Sequence, residues 1–128
     1  MIITKIIALT NNMNRLQLVT VSMDGLIKIL EIEQGEDSFV PELVHEFASL
    51  GQIINAAPLH GPTGVFIVSA MNEETEECWI QVWKRKMQRA CFGPYSEMTL
   101  DMCPVTKSSV IVPHPEEGGA SLAILNIQ

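Results

Sequence analysis

The amino-acid sequence predicts an all-β protein, and a few observations carry that prediction. No segment sustains a helical hydrophobic period over three turns. The apolar runs are short and rich in Ile and Val, and clusters of Gly, Pro, Asn, Asp and Glu separate them. With 128 residues, 47% of them hydrophobic and 18% charged, the chain can bury a core and is not of disordered composition.

The elements follow in order. Strands are predicted over 3–9, 16–22 and 26–33, with NNMN and MDG as the turns between them. EQGEDS then leads to a strand over 42–47, where PELVHEFASLG also offers a helix over 41–50, with a proline start and a glycine stop. Strands over 53–58, 65–70, 78–84 and 89–92 come next, separated by HGPTG and NEETEE and closed by FGP. The last are 98–103, 109–112 and 121–127, around PVTK and HPEEGG. Gly, Asn and Asp supply the positive φ of tight turns, and Pro fixes φ while withdrawing a donor.

These strands repeat. VTVSMDGLIKILEI, FIVSAMNEETEECWIQVWK and VIVPHPEEGGASLAILNI each run from an apolar strand through a polar turn into a second strand. That second strand ends in a large apolar residue followed by a polar one: Leu30-Glu31, Trp83-Lys84 and Leu125-Asn126. The steps are 53 and 42 residues, near the roughly 40–45-residue period of propeller blades.

The segments resemble WD-repeat blades. Ser22, Asp24 and Gly25 match the family's turn pattern, and Trp83 matches its tryptophan, with Lys84 in place of the aspartate. No Gly-His dipeptide precedes a blade, and no repeat keeps serine, aspartate and tryptophan together, so the family's hydrogen-bonded tetrad is expected to be incomplete. SSVIVPHPEEGGASLAILNI, preceded by MTLDMCPV, is loosely similar to blades of G-protein β-subunit-like proteins and ASTRA-complex propeller subunits. The resemblance implies one unit over 1–128, with about three four-stranded antiparallel blades near 1–47, 51–95 and 98–128.

A blade has a neighbour on each face, so its inner strands are apolar on both sides, unlike a sheet with one wet face. In the hairpin over 18–32, Leu26, Leu30 and Ile32 line one face of the second strand, and Ile27 and Ile29 the other. That hairpin is expected to be sandwiched. Three blades make only an arc, and an open arc exposes an apolar face and a strand edge. The chain is then a piece of a longer propeller, a half that pairs with another chain, or a different β-fold.

Chemistry is weakly signalled. Cys78, Cys91, Cys103, His45, His60 and His114 lack the close ligand pairs of a zinc site, so no metal or cofactor is expected. There is no G-x-S-x-G elbow, and GPTG and Gly118-Gly119 read as turns rather than phosphate loops. The expectation is therefore a protein that is not an enzyme. The net charge of −7 argues against nucleic acid as partner. Three cysteines without paired spacing suit a reducing compartment, cytoplasm or nucleus. The N-terminal MIITKIIALTNN is too short and too interrupted for a signal peptide or a membrane span.

Two charged clusters and one aromatic remain as candidate partner contacts. Glu73, Glu74, Glu76 and Glu77 interrupt the second hairpin, as a solvated loop or a docking site. Lys84, Arg85 and Lys86, with Arg89, form the basic patch, facing an acidic protein or merely keeping a turn soluble. Trp79 is a hot-spot candidate if exposed, or core through its alternation with Trp83. The function expected is a protein-binding scaffold or adaptor. Its alternatives are a half-propeller that oligomerises or completes a partner's ring by strand addition, and a small metal-binding or enzymatic β-domain.

Overall fold

The structure, a computed structural model, describes residues 3–10, 15–34, 39–49, 51–95, 101–113 and 122–127. These residues are all-β, with three antiparallel sheets that follow one another along the chain. The first sheet holds β1 (Ile3–Thr10), β2 (Leu16–Ser22), β3 (Leu26–Gln34) and β4 (Phe39–Ala48), in that order. The second holds β5 (Gln52–Pro58), β6 (Val65–Met71), β7 (Cys78–Lys84) and β8 (Met87–Tyr95), again in order. The third has β9 (Cys103–Thr106), β10 (Ser109–Pro113) and β11 (Leu122–Asn126).

The sheets stack in a row. Ile7, Val19, Val21, Ile27 and Ile29 of the first sheet meet Ile53, Phe66, Val68 and Trp83 of the second in one core. Ile67, Ile80 and Val82, from the other face of the second sheet, meet Val110, Val112 and Leu125 of the third. β1 lies beside β5, and β5 beside β9, so the first strands of successive sheets are neighbours. Among the described residues the row is open, and the sheets do not close into a ring.

Period-2 alternation explains which sheet is covered twice. In β6 the burial is continuous from Phe66 to Ala70, because odd and even positions face different cores. The expectation that the hairpin over 18–32 is sandwiched is thus corrected. Ile27 and Ile29 are fully buried, but Leu26, Leu30 and Ile32 are only half-buried. The first sheet ends the row, and the doubly covered hairpin is β6–β7.

Several boundaries differ from those the sequence predicts. The alternative helix over 41–50 does not form across β4, which pairs with β3 along its whole length. A register shift where Ile29↔His45 gives way to Leu30↔Leu43 turns both Val44 and Phe47 onto the core. The third sheet has three strands among the described residues, not the expected four. Its first strand lies at Cys103–Thr106 rather than over 98–103, so PVTK is mostly strand, and the turn follows it. Of the predicted span, residues 98–100 lie outside the described residues. Pro104 is tolerated because β9 is an edge strand, where no N–H is needed on the open side. FGP likewise lies inside the edge strand β8 instead of ending it.

The end sheets keep apolar outer faces. Ala8, Leu18, Leu30 and Leu43 are register partners across the first sheet, and Leu43 is 49% exposed. Cys103, Ile111 and Ile124 form the matching row on the third sheet, where Ile124 is 64% exposed.

Candidate interaction surfaces

Ser22, Asp24 and Gly25 build the β2–β3 turn. The Gly25 N–H donates to the Ser22 carbonyl at 3.0 Å, and φ of +92° makes glycine the fitting residue. The Ser22 hydroxyl donates to the Asp24 carboxylate and accepts the Leu26 N–H at 3.2 Å. That hydroxyl bond holds the Asp24 carboxyl below its ordinary value, with a further contribution from the Leu26 N–H. The tip is braced from outside, since the Ser49 N–H donates to the Gly25 carbonyl at 2.8 Å. These residues serve the joint between two sheets.

Trp83 is buried in the core between the first and second sheets, its ring 4.8 Å from that of Phe47. Its indole N–H donates to the Gln81 amide oxygen at 3.0 Å, on its own strand. The tryptophan therefore stands in a different sheet from the Ser22–Asp24 turn and is bonded to another partner. Trp79 is half-buried with its ring beside Gly93 of β8, where a Cβ would approach it to 3.0 Å.

The acidic loop is ordered by a residue that sequence reading did not single out. Asn72 Oδ1 accepts the Glu74 N–H at 2.9 Å and the Thr75 N–H at 3.4 Å, as an Asx turn does. The Asn72 carbonyl accepts the Glu76 N–H at 2.8 Å, and the Asn72 N–H donates to the Glu77 carbonyl at 2.9 Å. Glu73 and Glu74 then border, with Asp24 and Met23, a hollow of about 500 Å³ between two hairpin tips.

The basic patch divides. Arg85 and Lys86 are exposed at the β7–β8 turn, while Lys84 and Arg89 line a cleft of about 440 Å³. Lys107, from the β9–β10 turn, lines the same cleft, which has Leu59, Val65 and Ile127 as apolar wall. Lys107 stands well away from the others in sequence, and no local pattern points to it. Among the described residues these three cations make no ion pair. HGPTG forms the loop beside them, with Leu59 N–H donating to the Val65 carbonyl at 2.9 Å.

The acidic loop and the basic turn sit at opposite ends of β7. Seven residues of strand separate them, or about 23 Å, too far for the two groups to pair within the chain.

Burial pushes the Cys78 and Cys91 thiols up from their ordinary value, which disfavours the thiolate. Among the described residues no three His, Cys, Asp or Glu side chains converge as metal ligands; His114 lies outside those residues. Among them, too, no helix is long and apolar enough to cross a membrane. The chain matches no protein-family model and no curated protein.

Proposed function

We propose that the chain is a non-catalytic protein-interaction scaffold made of three propeller-like blades, similar to degenerate WD repeats. One observation carries this reading. Three consecutive antiparallel meanders stack face to face with their first strands side by side, an arrangement that propeller blades share. Such a stack holds its turns rigidly at two ends and presents them to partners. Three cysteines without paired spacing favour a reducing compartment, cytoplasm or nucleus.

Reconstitution tests the scaffold. A partner that co-purifies with the tagged chain should bind it again as two purified proteins. Loss of every candidate at that step overturns the reading.

The exposed outer faces favour a second reading, a half-propeller that pairs with another chain. Leu43 on one end sheet, and Leu122 and Ile124 on the other, leave at least 49% of their surface in water. Leaving such rows bare is costly, because apolar area gains about 25 cal/mol per Å² on burial. Light scattering across a dilution series decides it: a stable dimer supports pairing, and a well-folded monomer at all concentrations excludes pairing between copies.

A further inference from the structure

We propose that the cleft between the second and third sheets takes an acidic, partly apolar peptide segment of a partner protein, an inference that rests on the scaffold reading. Lys84 at the end of β7, Arg89 in β8 and Lys107 in the β9–β10 turn converge on this cleft from both sheets. Among the described residues no acidic side chain lines it. In a chain of net charge −7 that is a local reversal of sign, so the cleft selects for negative partners.

The wall distinguishes a peptide from a bare anion. Leu59, Val65 and Ile127 give the cleft an apolar side, which an inorganic anion cannot use and a Leu or Ile side chain can. Leu59 also borders a neighbouring hollow lined by Leu9, Pro58 and Pro104, so the apolar track continues toward the first strands of the three sheets. An extended segment would place its carboxylates on the cations and an apolar residue on Leu59. Among the described residues the lining holds no aromatic side chain on which a nucleic-acid base could stack.

The test uses the intact chain and a short fluorescein-labelled peptide alternating Glu with Leu, read by anisotropy. Binding should weaken about tenfold in K84E/K107E, and by a similar factor when Gln replaces Glu in the peptide. Equal binding by the Gln peptide, or by the charge-reversed variant, overturns the proposal. So does equal competition by inorganic phosphate or by a single-stranded oligonucleotide, which would make the cleft a general anion site. Circular dichroism of K84E/K107E checks its fold, and R89Q supplies a milder second variant. A reconstituted partner that binds K84E/K107E as tightly as the unaltered chain overturns the cleft assignment and leaves the scaffold standing, whereas the absence of any reconstituted partner overturns the scaffold itself.

Discussion

Gly51 lies so close to the end of β6 that a Cβ on it would collide with the Met71 carbonyl oxygen. The obstacle is backbone, which cannot rotate away as a side chain can. Gly51 in turn faces Gly25, where a Cβ would come within 2.5 Å of the Gly51 carbonyl oxygen. The β2–β3 tip, the connection between sheets and the end of β6 thus form one stacked joint. Gly51→Ala is expected to cost about 1–3 kcal/mol, seen as a lower urea midpoint at constant slope. An unchanged midpoint would mean the sheets move apart freely at this point.

Gln81 is 1% exposed and accepts the Trp83 indole N–H. Gln81→Ala removes that acceptor inside a core, and a buried donor left unsatisfied costs about 1–3 kcal/mol. In a double-mutant cycle with Trp83→Phe, a coupling of about 0.5–3 kcal/mol is expected. Strict additivity would show that the bond contributes nothing to stability.

Asp24 makes stability depend on acid. Its folded carboxyl titrates below the ordinary value of 3.8, chiefly through the Ser22 hydroxyl. The unfolded chain therefore takes up the proton first as pH falls. The contribution is complete above the unfolded value and disappears as pH drops through the lower folded one. Urea midpoints of the unaltered chain and Asp24→Asn should differ near neutral pH and converge in strong acid. A gap that stays constant down to the lowest pH would rule out this carboxylate as its source.

The outer rows give the half-propeller reading a residue-level check. If Leu43 and Ile124 are covered by another copy, L43D/I124D should run at the mass of a single chain where the unaltered protein runs heavier. Both substituted positions are largely exposed in the single chain, so the fold should survive. An oligomer that persists in L43D/I124D would place the contact elsewhere.

Much of the strand pattern could be read from sequence because alternation and turn residues are local signals. β2, β7 and the MDG turn fall where the period and the glycine put them. The β4 bulge was illegible for a physical reason: Val44 and Phe47 stand three apart, a helical spacing, and only pairing with β3 shows that both reach one core. Pro104 and Pro94 looked like strand ends, but a sheet edge accepts proline without losing a ladder bond. The basic cleft was half visible. Lys84 and Arg89 are close in sequence, whereas Lys107 joins them only because the third sheet packs on the second.

The separation of charge along β7 has an effect before any contact is made. Glutamates at one end of the second sheet and lysines and arginines at the other give it an electric dipole parallel to its strands. In the field of a charged partner the molecule would turn while still diffusing, and arrive with the matching end forward. The pace of encounter would then follow ionic strength more steeply than the lifetime of the complex does.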